Sequence, residues 1–158
     1  MLFLKIAFDI DGVLCEIDIA THRILDNITD VTIYNSVEEY YYKERKPLLD
    51  ARLFLSEKDE MYIITSRPEH LRWITEKWVK QYFPNAKLII INQNLLKGNT
   101  KKAVKDYCKT KVEMKAEVIN KLEIDVYFDD ESEALQHFRE LCPDCKIIKY
   151  GGRIEDGE

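Results

Sequence analysis

The fold is decided by residues 2–14, Leu-Phe-Leu-Lys-Ile-Ala-Phe-Asp-Ile-Asp-Gly-Val-Leu, in which a short apolar run ends at Asp9 and Asp11. Short runs that are apolar on both faces are typical of buried strands in a parallel sheet. Further runs of this kind occupy residues 61–64, 87–91, 124–128 and 146–150. We therefore predict a sheet of five strands.

Helical patterns lie between these strands. Apolar residues recur at intervals of three or four over residues 68–83, 113–122 and 131–141, the last with Leu141 on its buried face. Residues 48–58 are predicted to form the helix that leads into the second strand. Strands that alternate with helices predict an α/β, Rossmann-like fold, with a parallel sheet covered by helices on both faces.

One long segment interrupts this alternation. Residues 15–46 carry turn-forming residues and several tyrosines, and the segment is too short for a domain of its own. We predict that it is a small cap insertion above the sheet, within a single domain of residues 1–150. Residues 151–158 are glycine-rich and charged, and we expect this C-terminal tail to fray.

Composition excludes several classes of protein. The 158 residues are 46% hydrophobic and 34% charged, which is typical of a folded chain, and the net charge of −5 argues against a general nucleic-acid-coating protein. No apolar run approaches the roughly 20 residues of a membrane helix, and the first residues lack the pattern of a signal peptide. Four cysteines are few for a disulfide scaffold. We expect a cytoplasmic protein without a membrane partner.

Polar and charged side chains stand at the ends of three predicted strands. They are Asp9 and Asp11 after the first strand, Thr65, Ser66 and Arg67 after the second, and Asp129 and Asp130 after the fourth. Lys115 is expected at the start of the helix before the fourth strand. Because the carboxyl ends of parallel strands meet at one edge, these groups should converge there.

Four carboxylates at one edge repel each other. Two unit charges about 4 Å apart at a dielectric constant of about 20 cost roughly 4 kcal/mol, so the cluster needs protons or a cation. Oxygen ligands favour Mg²⁺, which takes only one or two carboxylates and leaves another free as a nucleophile. The metal and Lys115 can offset the charge of a phosphate dianion, and Thr65 offers it a hydroxyl donor.

These residues match a known pattern. Residues 8–14 resemble the first motif of the haloacid dehalogenase superfamily of phosphohydrolases. Thr65 is similar to its second motif, Lys115 to its third, and the pair Asp129-Asp130 to its fourth, all in the right order. The resemblance covers residues 2–150 and implies the strand order 5-4-1-2-3.

The resemblance also implies a role for each residue. Asp9 would attack phosphorus to form an aspartyl-phosphate, and Asp11 would protonate the leaving oxygen and then activate water. Lys115 would neutralise Asp9 and the phosphate. The substrate phosphate would be held by Thr65, Ser66 and Arg67. The ligands of Mg²⁺ would be Asp9, Asp11 through its backbone carbonyl, Asp130 directly, and Asp129 in a more indirect position.

Residues 65–84, together with the small cap, resemble the C-type 5′-nucleotidase-like branch of the superfamily. This implies a nucleotide monophosphate or another small phosphate ester as substrate. A small cap would also leave the site open to the 3′- or 5′-phosphorylated end of a polynucleotide, which is the second hypothesis. A third is a non-catalytic module of the same fold that binds phosphate or magnesium.

Other features have two readings each. Seven lysines in residues 97–115 could steer a polyanion, although a solvated face is favoured, and Lys97 and Lys121 are alternatives to Lys115. The tyrosines of the cap could stack on a base, although packing within the cap is favoured. Cys142 and Cys145 have the spacing of zinc ligands, but structural cysteines are favoured. Arg67 is either a substrate ligand or a surface charge.

Overall fold

The computed structural model describes residues 3–91 and 101–152. Five parallel strands form one sheet, in the order β3-β2-β1-β4-β5. The strands are β1 (Lys5–Phe8), β2 (Glu60–Thr65), β3 (Lys87–Ile90), β4 (Val126–Asp129) and β5 (Lys146–Lys149). This is the predicted order 5-4-1-2-3 read from the opposite edge, so the predicted sheet is confirmed.

Five α-helices connect and cap the strands. They are α1 (Ile19–Asn27), α2 (Val31–Lys43), α3 (Arg72–Tyr82), α4 (Lys101–Leu122) and α5 (Ser132–Leu141). Among the described residues, no helix is both long enough and apolar enough to cross a membrane.

Helices cover both faces of the sheet. Successive side chains of a strand point to opposite faces, so Ala7 and Phe8 of β1 enter two different cores. Ala7 packs with Ala116 and Ile119 of α4 and with α5, whereas Phe8 packs with Trp78 of α3. The predicted α/β arrangement with two helical layers is therefore present. The carboxyl edge of the sheet, which forms the mouth of the site, lies between the two layers.

The cap consists of α1 and α2, which lie between β1 and β2 in the chain. Asp18 and Asp30 begin these helices, and each side chain accepts a hydrogen bond from a backbone N–H in the first turn, as N-cap residues do. Helix α2 packs against α3, which places the cap on the α3 side of the sheet. Tyr41 is buried in the cap, as expected from packing, whereas Tyr40 is 60% exposed.

Three helix predictions differ from the structure. Residues 48–58 contain only a 3₁₀ helix, Leu49–Phe54, because Ala51 is its one buried residue and no apolar stripe holds a longer helix. A 3₁₀ turn, Glu69–Leu71, precedes α3, which begins at Arg72 rather than after Pro68. The prediction that Leu141 is buried is wrong: it is 36% exposed, and Cys142 fills the core in its place.

Helix α4 is longer than the apolar pattern of residues 113–122 indicates. Lys115 therefore lies in its interior rather than at its start. The first α4 side chain described as buried is Val112, so the preceding turns have no sheet to pack against and lack an apolar repeat. Lys97 lies outside the described residues.

Candidate active site

The carboxyl ends of β1, β2 and β4 bring together most of the residues that the sequence singles out. Asp9 follows β1, Thr65 ends β2, and Asp129 ends β4, with Asp130 next in the chain. Lys115 reaches this edge from α4, with its Nζ 3.1 Å from Asp9 Oδ1 and 3.9 Å from Asp129 Oδ2. The expected convergence of these groups is therefore present.

Asp9 is a largely enclosed carboxylate at this edge. Its side chain is 14% exposed, and Oδ1 accepts hydrogen bonds from Lys115 and from the backbone N–H of Ile10. Burial raises the pKa of Asp9 from 3.8 to about 7, the Lys115 ammonium opposes that rise, and the Asp129 and Asp11 carboxylates add to it. Positive charge is thus needed to keep Asp9 ionised.

Three carboxylates at this edge could hold a metal ion. One oxygen from each of Asp9, Asp129 and Asp130 lies within 4.8 Å of the others, and no other such group occurs in residues 3–91 and 101–152. Burial raises the pKa of Asp130 to about 7, with the Asp9 and Asp129 carboxylates as further causes. Crowded oxygen donors that repel each other fit a hard divalent cation such as Mg²⁺.

Asp129 is held by the protein on both of its oxygens. The Tyr127 hydroxyl donates to Oδ2 at 2.7 Å, and the backbone N–H of Glu131 donates to Oδ1 at 3.0 Å. Tyr127 also lies 3.3 Å from Lys115 Nζ. Sequence reasoning missed Tyr127, although its place two residues before Asp129 puts both side chains on one face of β4.

Lys115 is buried at the centre of this cluster, with 2% of the residue exposed. Burial lowers the pKa of Lys115, but the Asp9 and Asp129 carboxylates raise it by a larger amount, so the net shift is upward. Lys115 therefore stays protonated at neutral pH. Lys121, the alternative considered for this role within the described residues, lies in the last turn of α4, away from the site.

Asp11 points to Arg67 rather than into the carboxylate group. Arg67 Nη2 donates to Asp11 Oδ1 at 2.9 Å, and Nε donates to Oδ2 at 3.1 Å. Burial raises the pKa of Asp11, but the charge and hydrogen bonds of Arg67 outweigh it, so this pKa is below its ordinary value. Asp11 is thus kept ionised.

Arg67 itself is 2% exposed, so its interpretation as a surface charge is wrong. Its guanidinium lies 4.9 Å from the ring centre of Tyr42 and 5.5 Å from that of Trp78. Nη1 is buried and has no hydrogen-bond partner among the described residues. Tyr42 was considered only as a cap tyrosine that packs or stacks on a base, and Trp78 only as a buried helix residue, because nothing in their spacing shows that they flank an arginine.

Thr65 and Ser66 lie beside Arg67. Thr65 is 1% exposed, and its Oγ1 accepts the backbone N–H of Arg67 at 3.1 Å, which leaves the hydroxyl proton available for another acceptor. Ser66 is half-buried. The position of Thr65 is compatible with the predicted contact to a phosphate oxygen.

Two glycines after β5 lie against the loop that follows β1 at this edge of the sheet. The Gly152 N–H donates to Gly12 O, and a Cβ on Gly151 would lie 2.0 Å from that same oxygen. Gly12 has φ +87°, and a Cβ there would lie 2.2 Å from Asp130 Oδ2. The Gly152 hydrogen bond thus joins the start of the C-terminal tail to the loop that follows β1, and the rest of the tail lies outside the described residues.

Cys142 and Cys145 are far from this edge, in the turn between α5 and β5. Both are buried free thiols, and the Cys142 Sγ lies 3.7 Å from Ala116 O. They belong to none of the metal-binding groups that the described residues form. The structural interpretation of these cysteines fits this placement.

Comparison with known proteins gives similarity in fold only. No family model and no curated protein sequence matches the chain. A chain of the Pnkp1/Rnl/Hen1 RNA repair complex is similar with a TM-score of 0.55 and 16% identity over 93% of this chain and 42% of that chain. A second Pnkp1/Rnl/Hen1 structure gives a TM-score of 0.56 and 16% identity, over 93% of this chain and 46% of that chain.

The HAD domain of the effector protein Lem4 from Legionella pneumophila is also similar, with a TM-score of 0.48 and 11% identity over 99% of this chain and 89% of that domain. The chain spans less than half of the Pnkp1/Rnl/Hen1 chains that it matches. The five-stranded parallel sheet and its strand order are consistent with a haloacid dehalogenase-like fold.

Proposed function

We propose that this protein is a magnesium-dependent phosphomonoesterase that acts through an aspartyl-phosphate on Asp9. The observation that carries the proposal is the position of the Lys115 ammonium, 3.1 Å from the Asp9 carboxylate, in a cluster whose other two carboxylates, Asp129 and Asp130, fit a divalent cation. The substrate class is a nucleotide monophosphate or another small phosphate ester, as the resemblance to the 5′-nucleotidase-like branch implies.

In the first step, an oxygen of Asp9 forms a bond to phosphorus while the bond to the leaving oxygen breaks. Lys115 offsets the charge of both anions, and the Thr65 hydroxyl donates to a phosphate oxygen. The leaving oxygen takes a proton from Asp11. A Mg²⁺ ion held by Asp9, Asp129, Asp130 and the Asp11 backbone carbonyl would supply further positive charge beside the phosphate.

In the second step, Asp11 takes a proton from water, and the water oxygen attacks phosphorus. The bond between phosphorus and Asp9 breaks, which releases phosphate and restores the Asp9 carboxylate. Arg67 holds Asp11 in the ionised form that this step requires. The first step requires a protonated Asp11, so the proposal includes a loosening of the Asp11–Arg67 pair when substrate is bound.

The test is hydrolysis of p-nitrophenyl phosphate with Mg²⁺ and with a chelator. Turnover by the wild type should disappear in the chelator and fall at least a thousandfold in Asp9→Asn. Asp144→Asn is the matched control, since Asp144 is an exposed acid in the turn before β5. If wild type and Asp9→Asn are equally inactive although Mg²⁺ binds, the chain is a non-catalytic module instead.

The second candidate is a phosphatase for the phosphorylated end of a polynucleotide. The cap is two helices and packs on the α3 side, so among the described residues it does not cover the α4 side of the mouth, where a longer substrate could lie. One chain of similar fold belongs to a complex described as an RNA repair complex, which agrees with this candidate. A panel of nucleotides, sugar phosphates and phosphorylated oligonucleotides distinguishes the two.

A further inference from the structure

Helix α4 extends well past the site that it serves. It connects β3 to the parallel strand β4, so it runs antiparallel to the strands, and its turns before Val112 lie beyond the carboxyl edge of the sheet. At about 1.5 Å of rise per residue, Lys101 is about 20 Å further along the helix than Lys115. Residues 101–111 therefore form an arm at the mouth, on the side opposite the cap.

This arm has a strong charge and little packing. Five of its eleven residues are lysines, and Asp106 is its one acid. Lys101, Lys105 and Lys109 are exposed and follow each other at intervals of four, which places them in one row. At about 100° per residue, the row turns from about 40° away from the Lys115 face at Lys101 to about 120° away at Lys109.

Like charges at this interval destabilise an isolated helix. Lys111 lies one turn before Lys115, where the arm reaches the carboxyl edge of the sheet. Its side chain is 15% exposed, and its Nζ lies 3.1 Å from Glu131 Oε1, next to the Asp129-Asp130 pair. The residue that continues the row is Glu113, so the row ends one turn short of the site, and Lys111 is the lysine of the arm that adjoins the site.

We propose that this row, Lys101, Lys105 and Lys109, binds the phosphodiester groups of a single-stranded nucleic acid whose terminal phosphate lies at Asp9. The inference rests on the proposed phosphatase function and names a substrate class for the same site. A nucleic-acid strand combines a phosphate monoester at its end with a repeated negative charge behind it, which matches the two features.

The test compares two variants of equal charge change. The row variant is Lys101→Gln, Lys105→Gln and Lys109→Gln together. The control variant is Lys58→Gln, Lys80→Gln and Lys121→Gln together, since these exposed lysines lie toward the opposite edge of the sheet. Each is assayed with p-nitrophenyl phosphate and with 3′- and 5′-phosphorylated single-stranded oligonucleotides, at several salt concentrations.

The row variant should lose at least tenfold in kcat/KM on an oligonucleotide and less than twofold on p-nitrophenyl phosphate, while the control variant changes neither. The slope of log(kcat/KM) against log[salt] should become shallower by up to about 2 in the row variant, since each phosphate contact on a single strand contributes about 0.7. Equal effects in the two variants, or an oligonucleotide rate that does not depend on salt, would overturn the proposal.

Failure of the phosphatase function would appear differently, as absence of turnover on every substrate. In that case the anisotropy of a labelled, phosphorylated oligonucleotide still tests the row. Weaker binding by the row variant than by the control variant supports the proposal that the lysine row binds nucleic acid, and equal binding contradicts it.

Discussion

The Asp11 carboxylate and the Arg67 guanidinium form a two-pronged ion pair, with nitrogen–oxygen distances of 2.9 and 3.1 Å. The pair joins the loop after β1 to the loop after β2. It also separates the roles of the acidic residues, because it draws Asp11 away from the carboxylate group that could hold a metal. Asp11 and Asp9 are two residues apart, yet their pKa values shift in opposite directions.

Replacing Arg67 should therefore change the pH dependence of turnover. In Arg67→Gln, burial still raises the pKa of Asp11 and nothing lowers it to the same extent, so Asp11 stays protonated to a higher pH. The acid limb of the kcat profile should therefore move to higher pH. Arg67→Lys keeps the positive charge but loses the paired N–H donors of the guanidinium, so it should shift the acid limb of the pH profile less. An unchanged acid limb in Arg67→Gln would show that Asp11 does not limit turnover.

The same ion pair also affects stability. Because the folded-state pKa of Asp11 is depressed, its contribution to stability is present above the ordinary pKa and is lost as the pH falls through the folded-state value. Arg67→Gln should therefore be less stable than the wild type at pH 7 in urea titration, and the difference should shrink below pH 4.

Substitution of Gly12 should damage the metal site without unfolding the protein. A methyl group at this position would overlap the Asp130 carboxylate, so we expect Gly12→Ala to weaken Mg²⁺ binding at least tenfold in calorimetric titration. Gly152→Ala is the matched control. Gly152 also has a positive φ, +77°, but the nearest atom to its added Cβ would be 3.8 Å away. Equal weakening in both variants would attribute the effect to backbone strain rather than to Asp130.

The two acids after β4 should differ in their importance for Mg²⁺ affinity. Asp129 already accepts hydrogen bonds on both oxygens, from Tyr127 and Glu131, so we expect Asp130 to be the direct ligand. Asp130→Asn should raise the Kd for Mg²⁺ more than Asp129→Asn, by roughly tenfold or more. The reverse order in calorimetry would make Asp129 the direct ligand.

Stability without metal should fall as the pH rises from 5 to 8. The folded-state pKa of Asp9 is raised to about 7, so between pH 4 and pH 7 the folded protein binds more protons than the unfolded chain, and stability decreases with pH. A rise of this size corresponds to at most about 4 kcal/mol, or roughly 5–15 °C in Tm. Differential scanning fluorimetry with a chelator measures the fall.

Addition of Mg²⁺ at pH 8 should restore most of the lost Tm, because the cation replaces the protons as a source of positive charge. Asp9→Asn should show a smaller fall between pH 5 and pH 8, whereas Asp144→Asn should behave as the wild type. A Tm of the metal-free wild type that stays constant over this range would contradict the raised pKa.

Sequence patterns predicted the sheet because its strands are apolar on both faces and end at chemically distinct residues such as Asp9 and Thr65. They also predicted that the charged groups meet, since parallel strands leave little freedom there. They did not predict the partners that depend on depth and direction. Tyr127 reads only as a strand aromatic, and the burial of Arg67 between Tyr42 and Trp78 depends on how the cap packs against α3.

The length of α4 could not be predicted from the sequence, for a different reason. Its first turns have no described buried side chain before Val112, and apolar periodicity records only those parts of a helix that pack. The seven lysines of residues 97–115 were visible, but their placement beyond the sheet edge requires the helix to begin by Lys101.

The hydrogen bond from Gly152 to Gly12 links the loop after the first strand to the residues after the last one. Contacts between residues so distant in sequence form late when a chain folds from its local contacts. The loop that contains Asp11 and Gly12 therefore gains this contact only after β5 has joined the sheet. A chain that ended before Gly152 would leave this loop without its hydrogen bond to the last strand's end.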